Sequence, residues 1–83
     1  MKEKTPAKSV AYAGNQTFAQ ADRRNYFFIY ATDDIELTFG GGGGIIPITA
    51  GGFFEPRVMP TGEFTVFTDG VFVFLSDCHE RAA

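Results

Sequence analysis

Short stretches of β-forming residues, separated by glycine, proline and aspartate, make up most of the chain after residue 25. Residues 26–31 (YFFIYA) carry apolar side chains on both faces of an extended chain, whereas residues 35–39 (IELTF) alternate apolar and polar side chains, as a half-buried strand does. Residues 45–49 (IIPIT) form a further short strand, and Pro47 favours a sheet edge because proline has no backbone N–H. The pattern predicts about five to seven short strands in a small sandwich or barrel.

The strongest local signal is the Asp69-Gly70 dipeptide between two apolar runs. Residues 63–68 (EFTVFT) and 71–76 (VFVFLS) flank it, and Asp-Gly suits a two-residue type I′ turn because both positions take positive φ. A hairpin across this turn has two apolar faces, whereas an antiparallel sheet in a monomer normally has one polar face. We therefore expect its second face to be covered by a partner subunit. Its aromatic side chains are the candidate contacts: Phe67, Phe72 and Phe74.

The first part of the chain lacks a regular period. Residues 1–21 (MKEKTPAKSVAYAGNQTFAQA) have few large apolar side chains, too widely spaced for a strand or a helix face. We expect an extended N-terminal arm that becomes ordered when it docks, followed by a β domain over residues 22–78 and a short tail over residues 79–83. Tyr12 and Phe18 are the arm's candidate partner contacts.

The chain is small for an independent domain. With 83 residues it buries only about 60–65% of the surface that its unfolded chain exposes. Folds of this size usually need disulfides, a metal or a partner chain. Cys78 is the only cysteine and His79 the only histidine, so the chain has neither a disulfide framework nor four typical zinc ligands. Ten phenylalanines and three tyrosines supply the aromatic surface that subunit contacts favour, and we expect a homo-oligomer.

The charge is divided unevenly along the chain. Residues 1–24 contain five basic and two acidic residues, a net charge of +3, whereas residues 25–83 contain two basic and eight acidic residues, a net charge of −6. The acidic body repels phosphates, which argues against nucleic acid as the main partner. No apolar run approaches the roughly 20 residues of a membrane span, and residues 2–4 (KEK) are not followed by the apolar segment of a signal peptide. We expect synthesis in the cytoplasm and no membrane partner.

Five consecutive glycines follow the strand at residues 35–39: Gly40, Gly41, Gly42, Gly43 and Gly44. A phosphate-binding loop needs Lys and Ser or Thr after its glycines and then a helix. Here the run continues into Ile45-Ile46-Pro47, which cannot open a helix. We predict a flexible loop whose backbone approaches a partner surface closely.

The chain offers little catalytic chemistry. Asp77-Cys78-His79-Glu80 holds four potential ligands, but neighbours in an extended chain point to alternate sides, so we expect a solvated tail. Asp33-Asp34 is typical of a turn, and no serine has the setting of a nucleophile. We predict no catalytic, cofactor-binding or metal-binding residue and no enzyme activity.

Strand aromatics allow a second class of function. Side chains such as these stack on sugar rings or on bases, and nucleic acid is disfavoured by the acidic body. A carbohydrate-binding module, or a tail or fibre adaptor that recognises carbohydrate, is therefore the alternative to a structural protein. The aromatic residues concerned are Tyr26, Tyr30, Phe53 and Phe54.

About half of the chain, residues 35–77, resembles the small head-decoration (cement) proteins of tailed bacteriophages. The likeness lies in three segments, IPITAGGFFEP (46–56), PTGEFTV (60–66) and DGVFVFL (69–75), which follow the order strand, Ala-Gly-Gly-aromatic, Pro-Thr-Gly, strand, turn, strand. The resemblance implies a compact β module on the outside of a virion, often a trimer, that binds the major capsid protein and stabilises the shell. We expect an all-β fold, a small antiparallel β-sandwich or jelly-roll-like module with an extended N-terminal arm.

Overall fold

The computed structural model describes residues 8–40 and 44–77, which form eight β-strands and no helix. The strands are β1 (Lys8–Ala13), β2 (Gln16–Phe18), β3 (Phe27–Ala31), β4 (Ile35–Phe39), β5 (Ile46–Ile48), β6 (Phe53–Phe54), β7 (Phe64–Phe67) and β8 (Val71–Ser76). The first sheet has the order β1-β8-β3-β6 and the second has the order β2-β7-β4-β5. All pairings are antiparallel, and the predicted all-β fold is confirmed.

The strand pairing follows one rule: the first strand pairs with the last, the second with the second last, and so on towards the middle of the chain. β1 pairs with β8, β2 with β7, β3 with β6 and β4 with β5. A chain folded as one long hairpin makes these four pairings, and rolling that hairpin up adds the β3–β8 and β4–β7 pairings. Eight strands in two sheets with this order form a jelly roll.

Four connections pass from one sheet to the other at the same end of the sandwich, which we call the crossover end. They are residues 14–15, 32–34, 49–52 and 68–70. Hydrogen bonds join them to one another: Gly14 N donates to Gly70 O (2.9 Å), and Asn15 Oδ1 accepts from Thr68 N (2.8 Å). Asp34 Oδ1 accepts from Ala50 N at 2.8 Å. The crossover end is therefore held by polar contacts between segments that are distant in the sequence.

The predicted hairpin is wrong, because β7 and β8 lie in different sheets. β7 pairs with β2 and β4, whereas β8 pairs with β1 and β3. Neither Asp69 nor Gly70 has positive φ, so the connection is not a type I′ turn. Instead, the Asp33 carboxylate accepts a hydrogen bond from Val71 N at 2.9 Å. Separating the strands lets apolar side chains of β7 and β8 pack against each other across the core, which a flat hairpin does not allow.

The segment predicted as an arm is largely part of the sandwich. Residues 8–18 contain β1 and β2, which are edge strands of the first and the second sheet. Their sparse apolar side chains find partners on β8 and β7, where Tyr12 pairs with Phe72 and Phe18 pairs with Phe64. The rest of the predicted arm, residues 1–7, lies outside the described residues, as does the whole predicted tail, residues 79–83.

The core between the two sheets is mainly aromatic. Five phenylalanine side chains are at most 2% exposed: Phe18, Phe27, Phe64, Phe72 and Phe74. The Phe64 ring is central, with its centroid 4.7 Å from that of Phe18, 5.0 Å from that of Phe27 and 5.3 Å from that of Phe74. Packed sheets lie about 10 Å apart, and large rings fill that gap with few residues.

Arg24 closes the core at the end opposite the crossovers. It is 2% exposed, and its guanidinium carbon lies 5.2 Å from the Phe64 ring centroid and 5.5 Å from that of Phe27. The guanidinium also donates a hydrogen bond to the carbonyl oxygen of Pro60. Cation–π contact and hydrogen bonding offset the cost of taking this charge out of water. Arg24 thereby ties the β2–β3 connection to the β6–β7 connection.

Two phenylalanines of β7 test whether side chains along this strand alternate between the core and the outer face. Phe64→Ala should lower the free energy of unfolding by about 3–5 kcal/mol, because it removes the central ring of the core. Phe67→Ala should cost about 1 kcal/mol or less, since Phe67 is 42% exposed on the outer face of the same strand. Urea denaturation of both variants measures the difference. Similar losses for the two variants would contradict the assignment of Phe64 to the core and Phe67 to the surface.

Two glycines test the β7–β8 connection. A Cβ atom on Gly70 would lie 2.1 Å from Asp33 Oδ2, the oxygen that accepts from Val71 N. Gly70→Ala should therefore displace this carboxylate and lower the free energy of unfolding by about 1–3 kcal/mol. Gly62→Ala is the matched control, because no atom lies within 4 Å of its added Cβ. A Gly70→Ala protein with unchanged thermal unfolding would count against the Asp33–Val71 contact.

Candidate interaction face

The outer face of the first sheet is the candidate functional surface. Residues paired directly across a sheet lie on the same face, and one row crosses all four strands through Ala11, Val73, Tyr30 and Phe53. The full set of outward residues on this sheet is apolar except for one serine: Ser9, Ala11, Ala13, Phe28, Tyr30, Phe53, Val71, Val73 and Leu75. We call these residues the apolar face, and none of them is charged.

The aromatic residues of the apolar face are partly arranged before any partner binds. Phe53 is 63% exposed and Tyr30 is 41% exposed. The rings of Phe28 and Phe53 stack with their centroids 5.5 Å apart and their planes at 26°. Stacked rings form a broad, flat surface whose side chains have little rotational freedom left to lose when a partner docks.

The outer face of the second sheet is different in character. Its centre consists of threonines, and Thr17 and Thr65 form a hydroxyl–hydroxyl hydrogen bond of 3.1 Å. Glu36, Pro47 and Phe67 surround them. An antiparallel sheet with one face in the core normally has a polar outer face, and the second sheet comes close to this rule. The first sheet breaks the rule, because its outer face is apolar as well as its inner face.

Polar groups border the apolar face at two corners, both at the end opposite the crossovers. Lys8 and Ser9 form one corner on the edge strand β1. Tyr26 and Glu55 form the other corner beside β6, and the Tyr26 hydroxyl donates a 2.7 Å hydrogen bond to Glu55 Oε2. That hydrogen bond, together with burial and the negative charge of Glu55, raises the pKa of Tyr26 above its ordinary value.

The three hairpin phenylalanines do not form one surface. Phe72 is 0% exposed and Phe74 is 1% exposed, so both side chains belong to the core and cannot meet a partner. Phe67 is exposed, but it lies on the outer face of the second sheet. The three residues are divided because β7 and β8 lie in different sheets. The inward side chains of β8 face those of β7 across the core. The outward residues of β8 belong to the apolar face instead: Val71, Val73 and Leu75.

The other predicted partner contacts, in the arm and in the glycine run, do not form one surface either. Phe18 is buried in the core, and the ring of Tyr12 packs 5.0 Å from that of Phe18, so both residues stabilise the sandwich. Gly40 has a φ of 70° and ends β4, which only glycine does without strain. Gly44 is exposed, and residues 41–43 lie outside the described residues, so the predicted partner-contacting loop stays a prediction.

Three of the four aromatic residues considered for sugar stacking lie on one side of the first sheet. Tyr30 and Phe53 are members of the apolar face and Tyr26 borders it, whereas Phe54 pairs with Ile29 on the inward side. Residues 71–76 already showed apolar side chains on both faces of the strand. No local signal pointed to Ala11 and Ala13, because alanine has no strand preference and their partners on β8 are distant in the sequence.

A shallow cavity of about 460 Å³ lies on the second sheet near the crossover end. Phe67 and Pro47 provide apolar walls, and Asp34, Glu36 and Asp69 bring carboxylates to the lining. Oxygen acceptors beside an aromatic ring suit a ligand that presents hydroxyl donors.

No family model, curated protein or solved structure matches this chain. Across residues 8–40 and 44–77 there is no helix long and apolar enough to span a bilayer. The same residues include no cluster of three His, Cys, Asp or Glu side chains arranged to hold a metal ion. Cys78, His79 and Glu80, predicted to belong to a solvated tail, lie outside the described part of the chain.

The Tyr26 corner gives a prediction about pH. The folded-state pKa of Tyr26 should exceed that of the unfolded chain, so its contact with Glu55 stabilises the fold below the unfolded pKa and is lost as pH rises through the folded pKa. Alkaline titration followed by near-ultraviolet absorbance measures this pKa, and comparison with Tyr26→Phe assigns it. Glu55→Gln should lower the Tyr26 pKa because it removes the adjacent negative charge. An unchanged pKa in Glu55→Gln would show that Glu55 does not act on Tyr26.

Proposed function

We propose that the protein is a non-enzymatic structural component of a tailed-phage virion, a head-decoration module that self-associates and binds neighbouring capsid subunits. The apolar face is the observation that carries this proposal. A small rigid sandwich with one outer sheet free of charge is suited to adhesion, and a dissolved monomer gains nothing from exposing Tyr30 and Phe53.

The fold agrees with this role by analogy. Jelly rolls occur in viral capsid proteins and in lectins, so the topology favours a structural or a binding module over most other classes. The resemblance of residues 35–77 to small phage decoration proteins favours the first of these two classes. The two outer faces differ in polarity, which lets one module hold two different partners on opposite sides.

Three aspartate carboxylates of the described residues stabilise the fold. Asp33 accepts from Val71 N, Asp34 accepts from Ala50 N, and Asp77 accepts from the backbone N–H groups of residues 25 and 26. Carboxylates that cap turns are committed to backbone donors and are poorly placed to act as a general base. Binding by apolar burial, at about 25 cal/mol per Å² before the cost of association, needs no such group.

The charge distribution indicates which part of the chain contacts the shell in this proposal. Residues 1–7 contain two lysines and one glutamate, a net charge of +1, and the rest of the chain carries −4. A basic N-terminal segment attached to an acidic body favours contact with an acidic patch on the shell, and that contact should weaken as salt rises. Because residues 8–18 contain β1 and β2, removal of residues 1–7 leaves every described strand intact.

Reconstitution on undecorated shells tests the function. The full chain should bind purified shells at a saturating ratio to the capsid subunit and should raise the temperature at which the shells break apart. Removal of residues 1–7 should weaken binding while thermal unfolding of the free protein stays the same. A chain that leaves shell stability unchanged, or that fails to bind shells, would refute the decoration role.

The cavity beside Phe67 supports a second candidate, an adaptor that binds neutral carbohydrate. Its aromatic wall and carboxylate acceptors are the pair of features that such sites use. A glycan array followed by calorimetric titration separates the two functions. Saturable sugar binding that disappears in Phe67→Ala would put the adaptor ahead of the decoration module, whereas a decoration module should bind no sugar.

A further inference from the structure

We propose that a second copy of this chain covers the apolar face, with the two first sheets packed face to face about a two-fold axis parallel to the strands. This inference rests on the self-association part of the proposed function and not on the capsid contact. It names the surface, the symmetry and the orientation of the assembly.

Symmetry is the reason for choosing a second copy. A two-fold axis brings the same patch of each subunit together, so one self-complementary surface is enough to close the assembly. The apolar face is such a surface, because it is continuous across four strands and carries no charge that a copy of itself would repel. A closed trimer built head to tail needs two different patches, and the outer face of the second sheet is centred on Thr17, Thr38 and Thr65. The geometry therefore favours a dimer over the trimer that the phage resemblance implies.

The orientation follows from the two polar corners. Ser9 lies at the outer edge of β1, and Glu55 follows β6 on the opposite edge of the same sheet, both at the end away from the crossovers. A two-fold axis along the strands places β1 of each copy over β6 of the other copy. The ends away from the crossovers then lie together in the two copies. Ser9 of each copy then faces Glu55 of the other, with Lys8 beside the contact. An axis across the strands would instead place Ser9 against Ala13, and both polar corners would meet apolar surface.

The size of the face sets the strength of association. Four strands at about 4.8 Å spacing and five residues at about 3.3 Å per residue give roughly 300 Å² in projection. Stable complexes usually bury about 800 Å² on each partner, so the face alone supports a weak interface. We expect a reversible dimer with a dissociation constant in the micromolar range, which dilution should separate into monomers.

Sedimentation of the full chain over a dilution series tests the surface. The wild-type mass should rise from monomer to dimer with concentration. Val73→Lys puts a charge at the centre of the face and should raise the dissociation constant at least about tenfold. Thr65→Lys is the matched control, because it puts the same charge on a central strand of the other outer face and should leave the dimer unchanged. If Val73→Lys fails to fold, Val73→Thr keeps the side-chain shape and should still weaken the dimer.

Substitution of Ser9 tests the orientation by the sign of a charge. Opposite Glu55 of the second copy, Ser9→Lys should tighten the dimer and Ser9→Glu should weaken it, each by about fivefold at low salt because two such contacts occur per dimer. The difference should shrink as salt screens the charges. Equal effects of the two substitutions would overturn the proposed axis.

The outcomes separate this inference from the proposed function. The proposed dimer is overturned by a wild-type chain that stays monomeric at every concentration. It is also overturned by a trimer that Val73→Lys leaves intact. In both cases shell binding is tested separately, by reconstitution. A monomer whose shell binding is abolished by Val73→Lys also overturns the dimer, and makes the capsid protein the occupant of the face. A dimer that binds no shells keeps the inference and refutes the decoration role.

Discussion

Aromatic packing between the two sheets is the interaction on which the rest of the structure depends. The Phe64 ring contacts the rings of Phe18, Phe27 and Phe74 within 5.3 Å, so strands from both sheets meet at one side chain. A chain of 83 residues has few positions for a core, and large rings fill the space between sheets with the fewest. Arg24 completes this packing by covering the rings at the end opposite the crossovers. The faces of those rings and a backbone carbonyl stabilise its charge.

This core determines the outer surfaces through strand alternation. With Phe72 and Phe74 turned inwards, the residues between them must point outwards, and β8 is apolar at those positions too. β8 is a central strand of the first sheet, so its outward Val73 joins Tyr30 and Phe53 in one continuous row. Charged residues are absent from this row although one-fifth of the chain is charged. The apolar face is therefore the physical consequence of a strand that is apolar on both sides.

The polar residues complement this arrangement. At the crossover end, Asp33, Asp34 and Asn15 accept hydrogen bonds from backbone N–H groups of other connections and hold the rolled hairpin closed. The outer side of the second sheet has threonines at its centre, and a cavity beside Phe67 brings a concave surface together with carboxylates. The molecule thus has one apolar outer surface and one outer surface with polar groups.

The sequence by itself determined several strands after residue 25 but not β1 and β2, which it predicted as part of an arm. The alternation of residues 35–39 predicted β4 with its observed bounds, and residues 71–76 were already seen to be apolar on both sides. Only the tertiary structure decided which side of β8 is inside and which strands lie beside it. The Asp69-Gly70 dipeptide allows a hairpin locally, but the Asp33 carboxylate and the rings across the core stabilise the crossover instead. Ala11 and Ala13 became part of the apolar face only through their pairing with β8, about sixty residues away, because a pairing of that range leaves no periodic signal in either segment alone.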